Sequence, residues 1–113
     1  MISLTTHILD ISIGMPAKNV PVVLQILQNE FHWVQIGEGQ TDKDGRIKNF
    51  LEGDVTLQQG TYKLIFNTGE YFESEGIDSF YPFVEVIFTI DSDRHYHVPL
   101  LLSPYGYSTY RGS

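Results

Sequence analysis

The 113-residue chain contains no cysteine. That absence excludes a disulfide framework, a thiolate zinc site and a cysteine nucleophile. Basic residues are scarce: seven Lys and Arg stand against 14 Asp and Glu, giving a formal net charge of −7. Nucleic acids and anionic membranes are bound through clustered Lys and Arg, so neither is expected as a partner. Long apolar runs are missing too; a run such as Val98 to Leu102 contains Pro99 and falls far short of the ~20 residues a membrane helix needs. Met1 to His7 shows no basic region, apolar stretch or small-residue cleavage site, which points to the cytoplasm, or to the periplasm if a leader has been removed. With no repeat, linker or low-complexity stretch, residues 1–113 read as one domain. Phosphate-binding glycine loops, the Gly-x-Ser-x-Gly elbow and His-Glu-x-x-His are all absent, leaving nucleotide, serine-hydrolase and zincin readings without support.

Aromatic and β-branched residues are plentiful, with seven Phe and seven Tyr and turn residues at short intervals. This pattern predicts a mainly β sandwich of short antiparallel strands. A chain of this size can bury about two-thirds of its unfolded surface, enough for a core without staples. From Ile2 the chain alternates, with Leu4, Thr6 and Ile8 on one face and Ser3, Thr5, His7 and Leu9 on the other. Further strands are expected at Val22–Leu27, Phe31–Ile36, Tyr62–Asn67, Phe83–Ile90, Tyr96–Leu102 and Tyr107–Ser113, the last running to the end of the chain. Residues 10–19 and 37–46 read as loops, the second closed by Asp44-Gly45. One short helix is expected from Asn67 or Thr68 to Glu75, with Glu70 near its positive end.

Glu70, Glu73, Glu75, Asp78, Glu85, Asp91 and Asp93 form an acidic stretch that reads as a solvated face, or as a site for cationic partners. Asp42-Lys43-Asp44-Gly45 is no calcium loop, because counting from Gly45 at position six places Gln40 at position one and Leu51 at position twelve. His95 and His97 share a strand face; with His7 they are a candidate three-His zinc set, although surface histidines are commoner. His32 beside Trp33 reads as structural or as a surface residue. What remains are two imidazoles, His7 and His97, two guanidiniums, Arg46 and Arg111, and the hydroxyl of Ser113. Chemically that set fits a metal-free hydrolysis, a neutral His taking a proton from water while an Arg holds a carbonyl that becomes negative. Residue types alone do not show that they meet.

Three segments carry a resemblance: Leu4-Thr5-Thr6-His7-Ile8-Leu9-Asp10 with Gly14-x-Pro16-Ala17; Thr41-x-x-Asp44-Gly45-Arg46; and His97-Val98-Pro99-Leu100-Leu101-Leu102-Ser103-Pro104 running to Tyr107-Ser108-Thr109-Tyr110-Arg111-Gly112-Ser113. In this order the chain resembles the transthyretin-like family and its 5-hydroxyisourate hydrolase branch, the Tyr-Arg-Gly-Ser end separating hydrolases from hormone carriers. The resemblance implies an eight-stranded two-sheet sandwich with one short helix, assembled as a homotetramer with sites at the dimer–dimer interface. It also implies cofactor-free hydrolysis of 5-hydroxyisourate, a small-molecule substrate from urate oxidation, to 2-oxo-4-hydroxy-4-carboxy-5-ureidoimidazoline. Catalytic roles then fall on His7, Arg46, His97 and Ser113, with substrate binding by His7, Arg46, Tyr110, Arg111 and Gly112. Thr5, on the face of His7, is a further candidate to position substrate, while His95 stays outside the site. Two alternatives remain at this level: a carrier of a small ligand in a tetramer channel, and the zinc hydrolase built on His7, His95 and His97. Polar lining by His7, His97, Arg46 and Arg111 favours a small polar heterocycle over a hydrophobic hormone.

Overall fold

A computed structural model describes residues 1–51, 53 and 55–113. Its first strand, β1 (Ser3–Asp10), follows the alternation in the sequence: Leu4, Thr6, Ile8 and Asp10 are buried, while Ser3, Thr5, His7 and Leu9 face outward. Next come β2 (Met15–Pro16), β3 (Pro21–Asn29), β4 (His32–Gln40) and β5 (Arg46–Ile47). After these follow β6 (Gly60–Phe66), helix α1 (Thr68–Ser74), β7 (Val84–Ile90), β8 (His95–Ser103) and β9 (Gly106–Thr109). Two sheets result. One runs β2-β1-β8-β9, with β5 also pairing β1; the other runs β4-β3-β6-β7.

Their inner faces meet in a core of Leu4, Ile8, Leu24, Tyr62, Leu64, Phe66, Val84, Ile90, Tyr96, Leu100 and Leu102, each 6% exposed or less. At roughly 25 cal/mol per Å² of apolar surface, burial of such side chains is the main force holding the sheets together. Tyr62 enters this core because Gln58 satisfies its hydroxyl, which donates to the Gln58 carbonyl at 2.6 Å and accepts the Gln58 N–H at 3.0 Å. Helix α1 tucks Tyr71 and Phe72 against the sandwich. The Tyr71 hydroxyl donates to buried Asp10 at 2.8 Å.

Several boundaries depart from the sequence reading. β4 continues to Gln40 where a loop was expected, because Pro21 to Leu24 on β3 pair with Gln40 back to Gly37. Met15 and Pro16, inside another expected loop, pair with β1. Asn67 stands at the N-cap, yet its side chain donates to Glu70 instead of capping the helix. The last strand ends at Thr109, not Ser113. Continuing in register would set Tyr110 opposite Pro99, which has no N–H to donate, and the Pro99 carbonyl already accepts the Thr109 hydroxyl at 2.7 Å. Pairing resumes at one bridge, where the Gly112 N–H donates to the His97 carbonyl at 2.9 Å. Among the described residues no helix is long and apolar enough to cross a membrane.

Candidate active site

The outer face of the β1/β5/β8 sheet collects the chemistry. On one side of β1, His7 pairs with Arg46 of β5. On the other, β8 runs parallel to β1, with Ser3 opposite His95 and Thr5 opposite His97. Residues two apart on a strand share a face, so Ser3, Thr5, His7, Arg46, His95 and His97 project from one side of the sheet. Strand spacings place His97 one strand across and two residues along from His7, about 8 Å between Cα atoms.

Arg46 owes its place to the turn before it. Thr41 is buried; its hydroxyl donates to the Ala17 carbonyl and accepts the Val20 N–H, both at 2.8 Å. Asp42 then folds the turn, its carboxylate accepting the Asp44 N–H at 2.9 Å and the Arg46 N–H at 3.0 Å. Those two N–H groups help hold the Asp42 carboxyl below its usual range, the one from Arg46 first. Gly45 has φ +74°, and a Cβ there would lie 2.5 Å from the Ile8 carbonyl oxygen. Only glycine lets the turn press this closely on β1 and deliver Arg46 beside His7.

Both imidazoles of the set are pushed toward neutrality. Burial first, then the Arg46 charge, lowers His7, with the Asp44 backbone and the charges of Asp42 and Asp44 pulling the other way. For His97 burial again leads, followed by Arg46, His7 and His95. Each therefore has a lone pair near pH 7, as a general base needs, while the Arg46 guanidinium offers a fixed positive fork.

The tail reaches the site at one point. A Cβ on Gly112 would lie 2.5 Å from His97 Cδ2, so the tail backbone lies against the imidazole with no room between them. Arg111 points elsewhere: its guanidinium carbon lies 5.3 Å from the Tyr96 ring centroid, as Arg94 also does. Arg111 and Tyr110 line a cleft with Val86, Phe88, Tyr96 and His97, between β7 and β8. Tyr110 and Ser113 are exposed. A broader groove beside α1, lined by Asn67, Glu70, Glu73 and Asp78, shares no residue with the imidazole face. His32 is exposed at the start of β4.

His95 was set aside on sequence, yet it is tied to this site. The Thr5 hydroxyl lies 2.8 Å from His97 Nδ1 and 3.0 Å from His95 Nε2, and Ser3 Oγ lies 2.6 Å from His95 Nδ1. The shared spacing of Ser3, Thr5, His95 and His97 was visible; the pairing of the two strands was not. Among the described residues no three His, Asp or Glu side chains gather as a metal site.

The model of the HIUase/Transthyretin family matches residues 4–112. A 5-hydroxyisourate hydrolase of Salmonella typhimurium is 51% identical over 111 residues, 97% of this chain and 80% of that protein. The solved structure of Klebsiella pneumoniae 5-hydroxyisourate hydrolase superposes with a TM-score of 0.85 at 38% identity, covering 100% of both chains. Sea bream transthyretin in complex with thyroxine gives 0.89 at 34% identity, over 97% of this chain and 94% of the other. A match that runs through the His7 strand, the Arg46 turn and the His97 strand places the chain in the HIUase/Transthyretin family.

Proposed function

We propose that this protein hydrolyses 5-hydroxyisourate to 2-oxo-4-hydroxy-4-carboxy-5-ureidoimidazoline, a step of urate degradation. The observation that carries the reading is the sharing of one sheet face by two imidazoles pushed toward neutrality and a guanidinium beside them. One imidazole takes a proton from water as the water oxygen attacks the ring lactam carbonyl carbon. As the C–N bond breaks, an imidazole N–H protonates the freed nitrogen, so the proton first taken from water ends on that nitrogen; the new carboxylic acid loses its own proton to solvent and is left as a carboxylate. Arg46 holds the oxygen on which negative charge develops. General-base help is worth about 10²- to 10⁴-fold and one oxyanion donor about 10²- to 10³-fold. Tyr110, Arg111 and Gly112 bind substrate and Ser113 joins the chemistry, Arg111 from the cleft it lines together with His97; Gly112, by lying on His97, fixes where this tail can reach.

The working form in this proposal is a homotetramer with sites between dimers. Supporting it, among the described residues the edge strands β7 and β9 are unpaired on one side, and Phe83, Ile87, Tyr107 and Tyr110 stand 44–58% exposed near them. Light scattering on purified protein should return four times the chain mass; a monomer would refute the assembly. The activity itself is tested by ultraviolet decay of freshly generated 5-hydroxyisourate with EDTA present. Protein-dependent loss is expected; a decay no faster than buffer, from folded protein, would overturn the hydrolase reading and direct attention to ligand carriage.

A further inference from the structure

Two imidazoles share one hydroxyl in this site. Thr5 Oγ1 lies within hydrogen-bond distance of both His97 Nδ1 and His95 Nε2, while Ser3 Oγ meets His95 Nδ1. The parallel register dictates the arrangement, since it sets Ser3 beside His95 and Thr5 beside His97 on the same face. A threonine hydroxyl carries a single proton, so it donates to one ring and must accept from the other. The whole row is thereby polarised in one direction or the opposite one. With protons pointing from His97 toward Ser3, His97 Nδ1 bears its proton and Nε2 has a free lone pair. With protons pointing from Ser3 toward His97, Nδ1 is bare and Nε2 bears the proton.

We propose that Thr5, His95 and Ser3 are positioning residues that decide which nitrogen of His97 carries its proton, and that reversing their hydrogen bonds turns His97 from base to acid within one turnover. The inference rests on the hydrolase reading and deepens it. As His97 Nε2 takes a proton from the attacking water, the Nδ1 proton passes to Thr5 Oγ1 and the Thr5 proton passes to His95 Nε2. His95, which is exposed, then releases its Nδ1 proton to solvent past Ser3. His97 is left neutral with a proton on Nε2, ready for the nitrogen of the breaking C–N bond. As that proton leaves, the row runs back, and one solvent proton re-enters through His95. Charge has reason to move outward, because burial first, and then the charges of Arg46, His7 and His95, disfavour a lasting imidazolium at His97, against a smaller opposing pull from Thr5.

Three variants test this: Thr5→Val, His95→Phe and Thr5→Ser. Two-bond ¹H–¹⁵N NMR on the unliganded protein reads the His97 tautomer directly, and initial rates separate kcat from KM. Thr5→Val and His95→Phe are expected to change the tautomer pattern of His97 and to lower kcat about 10- to 100-fold at unchanged KM, the scale for removing a partner that orients a histidine. Thr5→Ser should restore both. If Thr5→Val and His95→Phe keep the wild-type tautomer, or if Thr5→Ser rescues nothing, the proposal is overturned. Should Thr5→Val fail to fold, His95→Phe at its exposed position carries the test. A tautomer that responds as expected in a protein with no turnover would support the row and refute the hydrolase reading instead.

Discussion

Replacing Gly112 by alanine adds one methyl group against the His97 ring. The new carbon would lie 2.5 Å from Cδ2, 3.1 Å from Cγ and 3.2 Å from Cβ of His97. Comfortable carbon contacts lie at about 3.5–4.0 Å, so the overlap is roughly 1 Å or more. A ring attached to a strand cannot yield as a lysine tip does; either the imidazole swings off its line or the tail lifts away. Displacement of a catalytic group by about 1 Å is worth about 10²-fold in rate, or about 2.7 kcal/mol of barrier. Gly112→Ala should therefore lower kcat/KM about 100-fold in the 5-hydroxyisourate decay assay. Thermal stability should hardly move, because the tail carries one ladder hydrogen bond at this point. In a His97→Ala background the ring is gone, and the same methyl should change kcat/KM by less than about 3-fold, the signature of strong coupling between neighbours. A Gly112→Ala enzyme with near-normal turnover, or full additivity in that double mutant, would refute the contact as the means by which the tail positions His97.

His97→Asn should cut kcat about 10²- to 10⁴-fold, with the elution volume in size-exclusion chromatography unchanged. The acid limb of kcat/KM should fall below pH 6.5, because burial and Arg46 lower both imidazoles and each must be neutral to accept a proton; for the same reason, folding stability should decline as pH drops below 6.5. Arg46→Gln removes a positive charge from both rings, so NMR titration should show the His7 and His97 midpoints moving up; unchanged midpoints would contradict that cause. Tyr71→Phe deprives the buried Asp10 carboxylate of its Tyr71 donor, while Ser12 continues to serve the other oxygen. Losing a hydrogen bond to a buried charged group costs about 1.5–3 kcal/mol, a drop in Tm of about 6–13 °C by calorimetry for a domain of this length.

Local chemistry made part of this structure legible from sequence alone. The alternation through β1 gave the correct faces, because a strand's period of two is a property of its own residues, and so His7 and Thr5 point outward as expected. The turn delivering Arg46 was visible through Asp44-Gly45, though the oxygen that folds it belongs to Asp42. Helix α1 was legible for the same reason, its cap aside. Non-local facts were hidden. Nothing within eight residues of Thr5 reveals that it faces His97 across 92 positions of sequence. The role of His95 was therefore missed, since it follows from strand pairing and not from spacing. The end of β9 was misjudged because tyrosines and threonines favour strand, whereas the missing donor on Pro99 acts from the neighbouring strand.

The parallel pairing of β1 with β8 also governs the order in which the molecule can be made. Loop closure over some ninety residues must precede every contact between those strands, whereas the β3–β4 hairpin forms from neighbours. During synthesis the first strand leaves the ribosome long before its partner exists, its apolar side waiting for the opposite sheet and its His7 side still without His97. His7 and Arg46 can meet early through β5, but His97 joins them only once β8 has docked. With the site as proposed, catalytic competence is a late event of folding, arriving together with the share of the core that β8 brings, Tyr96, Leu100 and Leu102.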